Sequence, residues 1–374
     1  MVAPHTKLSG RPLFAEFSAN ALRHNAHLAK RLMGGQGKIY AVIKADAYGH
    51  GLIPVAQALS DLVDGFAILE LAAARSLRAL DMALPILMLE GFYNEAELIE
   101  FSRLGLSTVV HRADQIDTLA KTALENPIPV FMKLNTGMNR LGLSLTEAAT
   151  SYARLKQLPQ VSSVTVMTHF ADADNARGTG WQLERLAAGW PEAFDQTLSL
   201  GNSAALLDAP ADRRVVGDIA RPGIMLYGSS PWGGADPAKS PAALGLKPVM
   251  TLKSALISVQ IIQPGERVGY GGTFTADKPM RIGIVAGGYA DGYPRHANNQ
   301  TPILVNGLHT HLVGRVSMDR LCCDVTDIPE AQLGSPVVLW GDGLPVDTVA
   351  ESAGTISYEL FCALSPRVPH LWRD

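Results

Sequence analysis

The chain has 374 residues, 47% of them apolar and 18% charged, and its 32 basic and 35 acidic side chains leave a formal net charge of −3. That composition is globular rather than disordered and too long for one ordinary core, so two domains are expected. The weak charge excludes nucleic acid and an anionic membrane surface as obvious partners, and no apolar run approaches the roughly 20 residues that span a bilayer. The first twelve residues lack the apolar core of a secretory signal. The three cysteines, two of them adjacent, fit neither a disulfide framework nor a CxxC zinc site. The expectation is a cytoplasmic protein with no metal.

In chain order, residues 11–17 read as a short strand, with Ser18 as the N-cap of a helix to about Met33. Strands are then expected over 38–44, 65–69, 85–89, 107–111, 129–134, 161–169, 197–201 and 223–228. Helical periodicity falls between them, at 52–59, 71–80, 95–104, 113–124, 147–155 and 181–194. Eight strands alternating with helices over roughly 220 residues is the count of a (β/α)8 barrel of the TIM type. A doubly wound open sheet is the alternative, but no GxGxxG turn follows the first strand. The barrel domain is assigned to 12–240, ending in a Ser-, Pro-, Gly- and Ala-rich linker over 229–240. Strand patterns then follow at 249–262, 280–286, 301–305, 309–313, 321–325 and 336–339, with Asn306-Gly307 as a hairpin signal. A mostly β domain is therefore expected over 241–374. The strand within residues 1–17, one more than the barrel needs, is expected to join it.

The chemistry-bearing residues cluster where the barrel strands end, which is where active sites are built on parallel α/β scaffolds. Lys44 ends the first strand; partly desolvated there, its amine is suited to Schiff-base chemistry. Lys133 and Arg140 flank a Gly turn at the fifth strand, His169 closes the sixth, Asn202 and Ser203 follow the seventh, and Arg221 lies at the eighth. Barrel loops after strands seven and eight commonly hold a phosphate through backbone N–H groups and a small hydroxyl. Ser203, Gly223 and Ile224 suit that role. A Schiff-base lysine facing a phosphate cradle implies pyridoxal 5′-phosphate. Taken singly, each signal has a plainer reading. Lys44 could be a snorkelling strand-end lysine, His169 a core histidine and Arg221 an ion-pair arginine. Lys133 and Arg140 could be surface charges, Tyr270 a turn aromatic, and Cys322 and Cys323 packing residues.

Six motifs in order then match a known family: AVIKADAYGHG (41–51), LNTGMNRLG (134–142), RPGIMLYG (221–228), VGYGGTF (268–274), GYADGYPR (288–295) and GRVSMD (314–319). From residue 11 to about 367 the chain resembles the alanine racemases, pyridoxal-phosphate enzymes built of a barrel and a β domain. The resemblance implies interconversion of L- and D-alanine by a homodimer with shared active sites, supplying D-alanine for peptidoglycan or catabolising it. Lys44 would bond the cofactor and act as one catalytic base; Tyr270 from the partner subunit would be the other. Tyr48, Asn202, Ser203, Gly223, Ile224 and Tyr358 would hold the phosphate end, with Arg221 at the pyridine nitrogen and His169 beside it. Arg140, with Met318 and Asp319 of the partner, would meet the substrate, supported by Lys133, carbamylated in many members, and by Tyr289 and Arg295. Asp291 and Arg295 are expected at an interface or entrance rather than in catalysis.

Two bases on opposite faces suit racemisation, which removes the α-proton from one face and returns one to the other. An amine and a phenol serve near neutral pH when nearby cations favour neutral amine and phenolate. An arginine at the pyridine nitrogen cannot accept a proton, which implies a weaker electron sink and fewer side reactions. Arg320 and His370 depart from the usual glutamine and arginine; they are expected near the entrance or dimer contact, where substrate breadth is set. A broad-spectrum racemase, a decarboxylase of the same barrel type and a non-enzymatic pyridoxal-phosphate carrier are the rival readings. Such decarboxylases need acidic specificity residues and a catalytic cysteine, and the carriers resemble only the barrel.

Overall fold

Short apolar runs, five of them buried along their whole length, form eight parallel strands in the computed structural model, which describes residues 10–35 and 37–374. Continuous burial without alternation is what a sheet covered on both faces requires. With β1 (Phe14–Ser18) counted first, the barrel strands are β2 (Lys38–Val42), β3 (Gly65–Ile68), β4 (Ile86–Met88), β5 (Ser107–Val110), β6 (Ile128–Lys133), β7 (Val161–Met167), β8 (Leu198–Ser199) and β9 (Ile219–Ala220). Each strand from β2 to β7 pairs with the next, and β9 returns to β2 through Lys38 opposite Ile219 and Ile39 opposite Ala220. The remaining seam, β8 against β9, is bridged by Asp218 N–H to Leu198 O and Arg221 N–H to Gly201 O, both 2.8 Å. The unit spans Leu22–Tyr227.

Helices follow the strands as the periodicity requires: α1 (Ala19–Met33), α2 (Leu52–Leu59), α3 (Leu71–Arg78), α4 (Glu95–Arg103), α5 (Ala113–Lys121), α6 (Ala148–Gln157), α7 (Gly180–Gly189), α8 (Ser203–Asp208) and α9 (Arg213–Val216). Ser18 Oγ accepts from Ala21 N–H at 3.0 Å, as its capping role demands. One expected strand is corrected. The run 223–228 is not the eighth strand: Ile224–Tyr227 winds into a 3-10 turn, and the strand is the two-residue β9 before it. Pro222 brings no N–H to a ladder, and Tyr227 turns in to donate its hydroxyl to Val42 O at 2.9 Å.

The second unit joins the residues up to Ala21 with Gly228–Asp374. Its axis is the long strand β10 (Met250–Ile262). Beyond it lie β11 (Arg267–Val268), β12 (Phe274–Thr275), β13 (Met280–Ala286), β14 (Pro302–Val305), β15 (Leu308–His311), β16 (Arg320–Asp324), β17 (Pro336–Trp340) and β18 (His370–Arg373). The main sheet runs β15-β14-β17-β10-β1-β18, so the N-terminal strand does sit in this unit. A bulge between Leu256 and Ser258 lets the far half of β10 pair with β13 instead, which carries β16. Asn306 and Gly307 take φ of 52° and 79°, the type I′ hairpin their sequence signals. The segment 229–240 groups with this unit rather than with the barrel. Ser229 Oγ donates to Asp347 Oδ1 at 2.6 Å and Ser230 N–H to the same oxygen at 3.1 Å. Four short helices, α8, α9, α10 (Val346–Ser352) and α11 (Ser357–Cys362), and the strands β11, β12 and β18 depart from the expected elements. His370 lies on β18 with its ring 4.9 Å from Phe17, so it is part of a sheet edge.

Candidate active site

Lys44 lies two residues beyond β2 and opens a left-handed turn. Ala45, Asp46, Ala47 and Tyr48 all have φ between 52° and 54° with ψ between 43° and 51°. Each such residue costs an L-amino acid about 1–2 kcal/mol, so surrounding bonds must hold the turn. Asp46 does much of this: its carbonyl accepts from Gly51 N–H at 2.9 Å and its Oδ1 from Leu52 N–H at 2.6 Å. Ala47 N–H donates to Ile43 O at 3.0 Å. The Tyr48 ring stacks on Tyr227 at 4.8 Å, and the His50 ring lies 4.5 Å from the same tyrosine.

Tyr48 and the turn after β9 approach closely. A Cβ on Gly223 would fall 2.7 Å from Tyr48 Oη, so any side chain there would force the tyrosine hydroxyl to shift. Ser203 Oγ accepts from Gly223 N–H at 2.9 Å and from Met225 N–H at 3.4 Å, and Ile224 is buried beside them. Asn202 caps α8, its Oδ1 accepting from Ala205 N–H at 3.0 Å.

Arg221 is buried and held at both ends of its fork, by Ser199 Oγ at 2.5 Å and Thr168 O at 2.7 Å. Burial lowers its pKa to about 10. Lys133, the last residue of β6, is also buried; desolvation, then Arg221 and Arg140, bring its amine down to about 8. His169 is pushed well below the usual imidazole value, first by burial and then by Arg221, Lys133, Arg140 and Lys44. Four cationic side chains thus converge on a neutral imidazole at the mouth of the barrel.

Arg140 itself is exposed, on a loop closed at its base by Asn135 N–H to Leu143 O and Leu143 N–H to Lys133 O, both 2.9 Å. Inside the loop the Asn135 side-chain carbonyl accepts from Gly137 N–H and Asn139 N–H, at 3.1 and 3.0 Å. Thr136 Oγ1 meets Thr168 Oγ1 at 2.7 Å, tying the loop to the end of β7.

In the β unit Tyr270 is 74% exposed. Its turn is fixed by Arg267, which donates to Gly271 O and Gly272 O at 2.7 and 2.8 Å. Met318 and Asp319 are clasped to the neighbouring turn by Gly287 N–H to Asp319 O, Tyr289 N–H to Ser317 O and Ala290 N–H to Met318 O, each 3.0 Å. Tyr289 and Met318 are exposed, as is Arg295. Tyr358 lies half-buried in the first turn of α11. Asp291 is 1% exposed, and its carboxylate is taken by Arg11 at 2.6 and 2.7 Å and by Arg367 at 2.7 Å. Burial pushes that carboxyl up, but the two arginines and Gly288 N–H outweigh it and hold it below the usual value. Arg320 is exposed at the start of β16.

The barrel unit therefore gathers Lys44, Tyr48, Lys133, Arg140, His169, Ser203, Arg221, Gly223 and Ile224, while Tyr270, Tyr289, Met318 and Asp319 share the β unit. Sequence reasoning missed the polar groups that hold these in place: Ser199, Thr168, Gln182 and the Arg11–Asp291–Arg367 clasp. Among the described residues no group of three or more His, Cys, Asp or Glu could hold a metal, and no helix is long and apolar enough to cross a membrane.

Comparison with known proteins agrees with this geometry. Residues 17–231 match the family model for the alanine racemase N-terminal domain and residues 249–372 that for the C-terminal domain. The alanine racemase of Nitrosomonas eutropha is 49% identical over 96% of this chain and 99% of its own length; that of Cupriavidus necator is 48% identical over 96% and 95%. The biosynthetic alanine racemase of Pseudomonas aeruginosa superposes with a TM-score of 0.91 at 44% identity, covering 98% of this chain and 100% of its own. The Bartonella henselae alanine racemase, solved with covalently bound pyridoxal phosphate, superposes at 0.85 with 25% identity over 97% of this chain and all of its own. With both family models matched and relatives near half identity along almost its whole length, the chain belongs to the alanine racemases.

Proposed function

We propose that this chain interconverts L- and D-alanine with pyridoxal 5′-phosphate as its cofactor, in the cytoplasm, as a homodimer whose two copies complete each other's sites. The observation that carries this reading is the set of four cations, Lys44, Lys133, Arg140 and Arg221, around the neutral His169. Such a field suits a cofactor bonded to Lys44 and facing Arg221, with an amino-acid carboxylate at Arg140.

The residues fit the cofactor. Gly223 leaves just the space that a Cβ would fill beneath the Tyr48 hydroxyl, and Ser203 Oγ stands against the Gly223 and Met225 N–H groups. Tyr48, Ser203, Gly223 and Ile224 would hold the phosphate, and Arg221 would meet the ring nitrogen. Arg221 offers only donors, so it would favour an unprotonated ring nitrogen. When bound, pyridoxal phosphate supplies the electron-withdrawing ring that loosens the Cα–H bond of an amino acid. Lys44 would hold the cofactor's aldehyde carbon, and its Nζ would move a proton to and from one face of Cα. Tyr270 Oη of a second copy serves the opposite face, with Met318 and Asp319 of that copy at the approach. Arg140 fixes the substrate carboxylate and so decides which atom lies between the two bases. Lys133, with a sizeable neutral fraction near pH 8, is suited to take up carbon dioxide as a carbamate and pair with Arg140.

Incubating the pure protein with a panel of L- and D-amino acids, followed by chiral chromatography, tests the activity. Racemisation confined to alanine is expected; carbon dioxide release from a basic amino acid would point to a decarboxylase instead. Lys44→Ala and Tyr270→Phe, each inactive alone, should regain activity when mixed and allowed to exchange subunits. Confirmed heterodimers without activity would exclude a shared site.

A further inference from the structure

Arg140 is exposed on a loop of ten residues, yet the loop is not free to choose its place. The first turn of α7 fixes it through two successive residues. Gln182 is fully buried, and its amide is used at every end. Its Nε2 donates to Thr136 Oγ1 at 2.8 Å and to His169 O at 3.1 Å, and its Oε1 accepts from Ala171 N–H at 2.7 Å. Thr136 passes the constraint on through Thr168 Oγ1, 2.7 Å away, which donates to Leu134 O at 3.1 Å. One glutamine thus sets the spacing between the His169 backbone and the loop that carries Arg140.

Trp181 adds a flat surface. Gly137, with φ at 142°, lies so close to the indole that a Cβ would fall 2.3 Å from its Cη2 and Cζ3. The same ring system also carries charge, with the Arg177 guanidinium carbon 3.8 Å from the ring centroid. The indole N–H is buried without an acceptor among the described residues, so Trp181 contributes shape here rather than a hydrogen bond.

We infer that Gln182 and Trp181 are positioning residues for the substrate carboxylate, acting through the 135–142 loop on Arg140; this rests on the reading of Arg140 as the carboxylate's partner. Neither touches substrate. Their contribution is to hold a long, exposed arginine at the one distance from His169 at which the carboxylate and Cα are both in place, since displacements near 1 Å are enough to cost about a hundredfold in such sites.

The experiment uses the holoenzyme of four variants, Gln182→Leu, Trp181→Phe, Thr136→Val and Thr136→Ser, with Arg140→Lys as the reference. Three quantities are read: KM for alanine in both directions, competitive inhibition by propionate as a bare carboxylate probe, and cofactor affinity from its visible absorbance. The expected result is a rise of about tenfold in KM and in the propionate constant for the first three, with kcat and cofactor affinity within about threefold. Thr136→Ser, which keeps the hydroxyl, should recover most of the loss. If Gln182→Leu does not fold, Trp181→Phe and Thr136→Val carry the same test without opening a buried amide network. Should Arg140→Lys leave propionate binding unchanged, the carboxylate reading itself fails. Should Arg140→Lys weaken propionate while the α7 variants do not, or should those variants lose cofactor in step with substrate, the positioning role is overturned.

Discussion

Arg221 donates to Ser199 Oγ at 2.5 Å, and that hydroxyl in turn donates to Ile219 O at 2.8 Å, so one serine ties a buried cation to the strand that completes the barrel. The seam between β8 and β9, which has only two residues on each side, is therefore stitched by side chains as much as by backbone.

Ser199→Ala should leave one guanidinium N–H and one carbonyl buried without partners, each worth roughly 1–3 kcal/mol. A loss of about 2 kcal/mol in urea unfolding is expected, with Ser199→Thr recovering part of it. A loss under about 0.5 kcal/mol would mean that Arg221 is held adequately by Thr168 O alone.

Lys133 makes stability depend on alkaline pH. Its folded value of about 8 lies below the free-lysine value of 10.5. Below pH 8 both states bind the proton and the full penalty of the buried cation is present. Between 8 and 10.5 the unfolded chain binds more protons than the folded one, so stability rises with pH through that window. In carbonate-free buffer Lys133→Met should be more stable than the parent at pH 7, by a margin on the order of 1–3 kcal/mol, and the margin should shrink between pH 8 and 10. Added bicarbonate at pH 8 should stabilise the parent and leave the variant unchanged. A pH-independent margin would argue that the amine is not strained by its surroundings.

Gly223 and Tyr48 should show coupling. Gly223→Ala places a methyl 2.7 Å from Tyr48 Oη, so the ring must shift, and with it the hydroxyl proposed for the phosphate. A cofactor affinity more than about tenfold weaker is expected. In Tyr48→Phe the hydroxyl is already gone, so adding Gly223→Ala should cost markedly less; fully additive losses would deny the contact.

Much of this fold could be read from the chain because it is written in local patterns. The all-apolar runs at Gly65–Ile68 and Ser107–Val110 have one reasonable fate, and Asn306-Gly307 specifies its own turn. The eighth strand escaped because Ile224–Tyr227 looks like a better strand than Ile219–Ala220, and only the three-dimensional demand of Tyr227 for Val42 O decides otherwise. The candidate site residues Lys44, Arg140 and Arg221 stood out in the sequence because motifs carry them. Their supports did not. Gln182 on an amphipathic helix reads as an ordinary polar position, and Arg11 meets Asp291 across 280 residues of sequence. Nothing in Ala45, Asp46, Ala47 and Tyr48 announces a left-handed conformation, since all four are compatible with an ordinary helix.

That turn has a consequence for the order in which the protein is made. Four left-handed residues represent about 4–8 kcal/mol of opposing local preference, as much as the whole net stability of many domains. No nascent fragment can hold such a conformation by itself, because Tyr48 needs Tyr227, which is synthesised nearly 180 residues later. Lys44, the lysine proposed to bond the cofactor, thus reaches its place in this turn only after the last barrel strand has arrived. During refolding, amide protection at His50 and Gly51 should lag behind that of β3 to β6; simultaneous or earlier protection would refute the delay. A half-made barrel would carry Lys44 as an ordinary amine, and newly made chains would be protected from trapping reactive aldehydes before they can use them.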